Sequence, residues 1–435
     1  MKGTTMQTPA PRGTSNTAAY LLSGAMISDG HVHADSVVAV SEGRIAYAGP
    51  RSGYRAADFA RAEEIPLPPG SSILPGLIDL HCHGAAGGDF PTGDGQACRT
   101  AVDFLHRSGT TTLLASLVTA SREDLLKSLA ILRPLAVEGL IAGIHSEGPF
   151  LSHARCGAQN PHWLRSPDPA LLDELLLAAD GTLKTMTYAP ELPGARELVT
   201  TLAAHGIVPS LGHTDADAHT AAASLTEAAE SLVARHPADP ASPAGPASPA
   251  GPASPGATTR PTVTHLFNGM PPLHQRNPGP VAACLRLARA GTVAVELIGD
   301  GVHLDPETVR MVFELVGAEN VVLVTDSMAA TGLPDGDYEL GPSAVVVHDG
   351  VASLRSNGAL AGGTATLLEV VRRTIDAGIS PADAVQSATA VPAKLLGLEA
   401  GIGSLTAGIR ADIVAVDSDF RLVTVLRAGR VLGRP

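Results

Sequence analysis

The stretch ILPGLIDLHCHGAAGGD, residues 73–89, ends an apolar run on two histidines separated by one residue. In an extended strand alternate side chains share a face, so His81 and His83 point one way and Cys82 the other. Two imidazoles on one face can grip one cation. The run is rich in Leu and Ile and breaks into Gly84, Gly87 and Gly88, the pattern of a buried parallel strand opening into a functional loop. A lone His-x-His is equally a pair of hydrogen-bonded loop histidines, so its meaning depends on the rest of the chain.

Seven further short apolar runs follow: TTTLLASLVT (110–119), AGIHSEG (142–148), KTMTYAPE (184–191), VPSLGHT (208–214), TVTHLFN (262–268), TVAVELIGDG (292–301) and VVLVTDS (321–327). Helix-like segments such as CRTAVDFLHRSG, ARELVTTLAAHG, DPETVRMVFELVG and GTATLLEVVRRTIDAG alternate with them. Strand-helix alternation implies a parallel sheet, and eight strands make a (β/α)8 TIM-like barrel the economical fold, over residues 71–399. His81, His83, Glu147, His213, His265, Asp300, His303 and Asp326 all fall at or just past the C-terminal ends of these runs. Barrel active sites assemble at that end.

The chain ends read differently. AMISDG, VVAVSEGRIAYAGP and EEIPLPPG in residues 18–70, and SLTAGIRADIVAVD with FRLVTVLRAGRVLG towards residues 400–435, are short strands and turns that pair into a small β-sandwich domain. Residues 1–17 form a flexible polar tail. At about 236–260 the unit ASPAGP starts at Ala241 and again at Ala247, a Pro/Ala/Ser/Gly insert too poor in apolar side chains to repay its ordering entropy. It reads as a disordered spacer, the alternative being a segment recognised by a proline-binding partner.

Composition narrows the function. The 435 residues are 44% hydrophobic, enough for a large core, and carry a net charge of −13. Lysine is confined to Lys2, Lys127, Lys184 and Lys394, so no basic stripe exists to neutralise a nucleic-acid backbone. No apolar run reaches the ~20 residues of a membrane span, and the N-terminus lacks a secretory pattern. Cys82, Cys98, Cys156 and Cys284 are scattered, which fits a reducing cytoplasm.

Zinc-like ions take imidazole and carboxylate ligands, and a catalytic site keeps one position for water. His81, His83, Glu147, His213 and His265 supply enough ligands for two divalent ions bridged by Glu147. Singly, Glu147 is also readable as an N-cap or salt-bridged loop residue and His213 as the neighbour of a helix cap. Asp326 follows four apolar residues, where an unpaired carboxylate is costly. It serves there as general base and acid towards a metal-associated water, as a further ligand, or as a helix cap.

Taken together, these residues resemble the amidohydrolase superfamily. Within it HSEGPF, LGHTDAD, HLFNGMPPLHQRNPG, IGDGVHLDP, LVTDSMAATG and SATAVPAKLLGLEAGIGSLTAGIRADIVAVD are similar to the deacetylases of N-acetylglucosamine 6-phosphate. The resemblance implies that Glu147, His213 and His265 bind the main catalytic metal and that Asp326 is the general base and acid. His81 and His83 then mark the subgroup with a second ion. Asn268 and Gly269 match a sugar-contacting turn, Arg276 a phosphate contact, and His303 another substrate contact. Leu360, Ala361 and Gly362 match a loop that closes near the sugar. Ala158 and Gln159 fall at a substrate-linked position, and the family often has His where this chain has Gln159. A Gln donates a hydrogen bond there but does not titrate, with His162 or Cys156 as alternative contacts and Cys156 otherwise a packed thiol.

The implied cofactor is Zn2+, with Fe2+, Mn2+ or Co2+ as alternatives, and the implied partner is a phosphorylated N-acetyl amino sugar. The implied assembly is a homodimer whose partner subunit completes the phosphate site. Rival readings are the N-acetylgalactosamine 6-phosphate deacetylase, a non-catalytic metal-bearing sensor, and a cyclic-amide hydrolase. The last uses a carboxylated Lys at the end of strand four, whereas Lys184 stands at its start.

Overall fold

The eight apolar runs form barrel strands β1 (Leu77–Cys82), β2 (Thr110–Leu117), β3 (Gly143–Glu147), β4 (Leu183–Tyr188), β5 (Val208–Leu211), β6 (Thr262–Val263), β7 (Ala294–Leu297) and β8 (Val321–Leu323). In the computed structural model, which describes residues 19–235 and 260–433, each strand pairs in parallel with the next in chain order. The tail and the insert up to residue 259 lie outside the described residues. Arg260, where the chain re-enters, is anchored by its guanidinium on Val293 O at 2.9 Å and Asn320 Oδ1 at 3.0 Å, which sets up β6.

The seam between β8 and β1 closes just past the end of β8. Asp326 N donates to His81 O at 2.9 Å and His83 N to Ser327 O at 2.7 Å. Beneath them the Thr325 hydroxyl donates to the buried Asp79 carboxylate at 2.7 Å. The His-x-His segment and the strand-eight aspartate are therefore partners in barrel closure, so closing the fold assembles the site.

Helices α1 (Gly95–Arg107), α2 (Arg122–Val137), α3 (Pro169–Ala179), α4 (Ala195–Ala204), α5 (Ala218–Arg235), α6 (Gly279–Arg289), α7 (Pro306–Val316) and α8 (Leu367–Asp376) ring the barrel. In α1, Cys98, Ala101, Val102 and Leu105 are buried at helical spacing, the apolar stripe that lies on the sheet. Asp94, Ser121, Asp168, Asp305 and Thr366 cap helix N-termini by accepting first-turn N–H groups. No helix among the described residues is long and apolar enough to cross a membrane.

The run beginning at Ile73, read above as one strand, is two. Ser72–Pro75 pairs with Tyr20–Ser28 and Ile413–Val416 in a mixed sheet built from both chain ends, and only Leu77–Cys82 belongs to the barrel. Period-two alternation divides that terminal sheet. Ile73, Ile413, Ala415 and Leu426 face a core with Leu22, Val38 and Ile45, while Leu74, Val414, Val416 and Val425 pack on the barrel side. Gly76 is the junction, since a Cβ there would lie 2.1 Å from Thr111 Oγ1 and 2.9 Å from Asp412 Cβ. Gly76→Ala is expected to cost ~1–3 kcal/mol through overpacking. Denaturant unfolding of the variant checks this, and an unchanged midpoint would show that the junction has slack.

A three-stranded antiparallel sheet, Gly336–Leu340, Ser343–His348 and Val351–Leu354, follows β8 and has no counterpart in the reading of the sequence. Its signal was there: AVVVHDGVASL alternates, and Asp349 (φ 50°) and Gly350 (φ 73°) make a two-residue turn with both φ positive. Val345, Leu340, Met328, Val118 and Ala361 form its core, which fixes residues 360–362 beside the strand-eight end.

Candidate metal-binding active site

Glu147 is the centre of the site because its two oxygens face different histidine pairs. Oε1 lies 2.9 Å from His213 Nε2 and 2.9 Å from His265 Nε2. Oε2 lies 3.3 Å from His83 Nε2 and 3.6 Å from His81 Nε2. Asp326 Oδ1 completes the second group, 3.3 Å from His81 Nε2 and 3.1 Å from His83 Nε2, and the two histidine nitrogens are 3.0 Å apart. A tetrahedral ion with bonds of about 2.0–2.1 Å has ligand–ligand edges of roughly 3.3–3.4 Å, so these separations fit one cation per group. His81, His83, Glu147 and Asp326, and separately Glu147, His213 and His265, are groupings able to hold a metal ion.

The hydrogen bonds behind the rings support the same fit. His83 Nδ1 lies 3.2 Å from Ser116 O and His213 Nδ1 lies 2.8 Å from Arg155 O. Carbonyls only accept, so both rings carry a proton on Nδ1, which leaves Nε2 as the nitrogen that a cation would take. His81 Nδ1 faces the Glu296 carboxylate at 3.4 Å. Lone pairs of imidazoles and carboxylates crowded to about 3 Å repel unless a cation or protons stand among them. Without a cation the protons do so. Burial opposes a charge on His81, but Asp326 and Glu147 overcome it and raise its pKa well above the ordinary value. By the same balance His83 is raised to about 9. Burial pushes the Glu147 and Asp326 carboxyls up, yet His81 and its neighbours hold both well below the usual carboxylate range.

Several site residues have left-handed backbone: His213 (φ 46°), His265 (φ 28°) and Asp326 (φ 49°). Such conformations cost of order 1–3 kcal/mol each and cluster where function needs them. Asp326 is also the most open member of the cluster, its side chain 13% exposed against 0% for His81, 1% for His83 and 3% for Glu147. It faces the mouth of the barrel from within a ligand group.

The other residues singled out above are distributed unevenly around this centre. His303 Nδ1 is 2.9 Å from Asp300 Oδ2, and Asp300 Oδ1 accepts the backbone N–H groups of Val302 and His303, so the ring is held in one orientation. Burial opposes charge on both groups, but their contact raises the His303 pKa and lowers that of Asp300. Gly269 packs against the His213 ring, since a Cβ there would lie 2.7 Å from Nδ1. Asn268 Nδ2 donates to His265 O at 3.2 Å. Gln159 is buried, with Oε1 accepting from Thr119 N at 2.7 Å and Nε2 donating to Glu147 Oε2 at 2.6 Å, so its amide braces the shared carboxylate. Ala158 is half-buried against the three-stranded sheet. Gly362 lies against the Asp326 carbonyl, where a Cβ would approach to 2.8 Å, while Leu360 is exposed and Ala361 buried. Arg276 is exposed on the loop after β6 and forms no ion pair among the described residues. Of the alternatives to Gln159, His162 is exposed and Cys156 is a half-buried free thiol.

Sequence reasoning missed the polar floor of the barrel. Ser116 Oγ lies 2.9 Å from His145 Nδ1, His145 Nε2 lies 2.8 Å from Thr187 Oγ1, and the chain continues to Thr264 Oγ1 at 2.8 Å and Ser210 Oγ at 2.6 Å. Burial, then the neighbouring His81, pushes the His145 pKa well below its ordinary value, so this histidine is neutral. Barrel interiors are normally filled by Val, Ile and Leu. The signal available was His145, an imidazole two residues before Glu147 at the end of the same strand.

The amidohydrolase family profile matches residues 72–432. The chain is similar to the N-acetylglucosamine-6-phosphate deacetylase of Bacillus subtilis, 32% identical over 420 residues, covering 94% of this chain and 95% of that one. It is also similar to the N-acetylgalactosamine-6-phosphate deacetylase of Escherichia coli O157:H7, 30% identical over 82% of this chain and 87% of that one. A solved structure of a point mutant of N-acetyl-D-glucosamine-6-phosphate deacetylase from Mycobacterium smegmatis, in complex with N-acetyl-D-glucosamine-6-phosphate, superposes with a TM-score of 0.80. That protein is 35% identical, with 95% of this chain and 99% of that chain covered.

Proposed function

The chain belongs to the amidohydrolase family, and from that premise we propose that it hydrolyses the acetamide of N-acetyl-D-glucosamine 6-phosphate to D-glucosamine 6-phosphate and acetate. The observation that carries this reading is Asp326, an ionised carboxylate inside a His/Glu metal cluster and yet the member most open to the mouth. Glu147, His213 and His265 would hold a divalent cation, which when bound would supply Lewis acidity towards a carbonyl and lower the pKa of a water molecule. Asp326 accepts the proton that this water loses and returns it to the departing amine nitrogen, so one carboxylate serves as base and then acid. Glu147 is held for its part by Gln159, which prevents its carboxylate from turning.

His81 and His83 hold a second cation in this reading. Zinc suits a set of four imidazoles and carboxylates, with iron(II), manganese(II) and cobalt(II) to be separated by elemental analysis. His303, oriented by Asp300, and the turn at Asn268 and Gly269 contact the sugar, and residues 158–159 and 360–362 flank it. A homodimer that completes the phosphate site is supported by apolar side chains left exposed on loops of the barrel mouth, Leu273, Val302 and Leu360. The free cysteines support a cytoplasmic location.

Purified protein assayed with N-acetylglucosamine 6-phosphate, its galactosamine epimer and the unphosphorylated sugar, with metal measured on the same sample, tests the proposal. Preference for the galactosamine epimer would replace the substrate, and turnover of neither would leave a metal-bearing sensor. Arg276 addresses the phosphate. A guanidinium recognises a phosphate through paired N–H donors, and an exposed Arg without an ion-pair partner is free to do so. Arg276→Ala is expected to lower kcat/KM for the phosphorylated substrate roughly 10- to 100-fold while barely moving the rate on unphosphorylated sugar. An equal fall on both substrates would remove phosphate recognition from Arg276.

A further inference from the structure

Glu296 has no assigned part in the chemistry above. It projects from β7 with 1% of its surface exposed, and its Oε2 lies 3.4 Å from His81 Nδ1 and 3.3 Å from the backbone nitrogen of His265. No Lys or Arg pairs with it among the described residues. We propose that Glu296 is a positioning residue that holds His81 in the tautomer turning a bare Nε2 to the cation cluster, and that it ties this ring to His265 across the shared Glu147.

Three observations carry it. First, a buried carboxylate without a cationic side chain is costly. The partner that offsets the cost here is an imidazole N–H whose far nitrogen binds a cation. Second, the rings packed around His81 set its plane without choosing its tautomer. His145 stands at 4.6 Å and His83 at 5.0 Å edge-on, while His265 is stacked at 5.3 Å. The choice falls to what accepts from Nδ1. Third, His83 and His213 donate to neutral carbonyls, whereas His81 alone meets a carboxylate. A charged acceptor raises the electron density at Nε2 and so strengthens the ligand. The same oxygen also accepts from the His265 backbone N–H at 3.3 Å, a contact that the amide oxygen of a Gln can keep. The inference rests on the proposed function for the presence of two cations, and it is independent of the substrate.

The test uses the full chain. Wild type and Glu296→Gln are stripped with a chelator and titrated with Zn2+, reading both binding steps. The expected result is an affinity about 10- to 100-fold weaker for one ion, with the other within about twofold. Nitrogen-15 spectra of the zinc-loaded wild type, with His81 assigned by His81→Asn, are expected to show His81 protonated on Nδ1 with Nε2 bare. In the zinc-loaded Glu296→Gln variant that Nδ1–H resonance moves upfield. In the His81→Asn background Glu296→Gln is expected to add no further loss of metal affinity. Unchanged affinities for both ions, equal loss of both, or a His81 protonated on Nε2 in the zinc-loaded wild type each overturn the inference. Should the Gln variant fail to fold, the wild-type tautomer still decides. A protein that binds two ions with the expected tautomer but deacetylates nothing would sink the proposed function and leave Glu296 standing.

Discussion

Asp326→Asn is expected to lower kcat about 10²- to 10⁴-fold, the usual worth of a positioned general acid-base group. The amide is nearly isosteric and keeps an oxygen that can face His81 and His83, so the fold and the Glu147, His213 and His265 group remain. What it loses is the capacity to take a proton from water and deliver it to an amine. In the metal-free chain His81 and His83 outweigh burial and hold the Asp326 carboxyl below the usual carboxylate range, the ionised form that the proposed proton transfer starts from. KM is expected to change little, since the carboxylate acts in the transition state rather than in substrate binding. Steady-state kinetics with metal content measured in parallel checks this. A variant with near wild-type kcat, or one that loses all its metal, would remove Asp326 from the proton-transfer role.

Glu147→Ala is expected to have the larger consequence for metal. It removes at once the oxygen facing His213 and His265 and the oxygen facing His81 and His83. Bound divalent ions should fall from about two per chain towards zero, and turnover at least as far as in Asp326→Asn. The four imidazoles left behind lose their shared carboxylate, and breaking buried charge pairs costs about 3–5 kcal/mol. The variant should therefore also melt earlier. The double variant His81→Gln with His83→Asn makes the contrast, because it spares the Oε1 face and should keep about one ion. Equal metal content in these two variants would refute a shared Glu147 and leave one mononuclear site.

Much of the site was legible because its residues sit at the ends of strands whose signal is local. His81, Glu147, His213, His265 and Asp326 each follow a short apolar run. A side chain past the last apolar residue of a parallel strand can only be at the rim of the sheet. The identity of those residues as imidazoles and carboxylates then pointed to a cation. Gln159 was legible as a position but not as a contact, since its amide reaches Glu147 through a loop whose path has no periodicity. Glu296 and His145 were hidden because each lies inside an apolar run, where a polar residue reads as an interruption.

The sequence alone pointed to the barrel, the C-terminal ends of its strands and a set of candidate donors, because periods of 2 and 3.6 residues are properties of neighbours in the chain. It also determined that the terminal segments are β, by their short alternating runs. The tertiary structure decided what depends on distance across the fold. Asp79 and Thr325, 246 residues apart, close the seam that sets His81 and His83 against Asp326. Which oxygen of Glu147 meets which histidines, where Gly76 divides one apparent strand between two sheets, and which acceptor stands behind His81, His83 and His213 follow from that closure. No local pattern encodes them, since each is a contact between residues that only the folded chain brings within 4 Å.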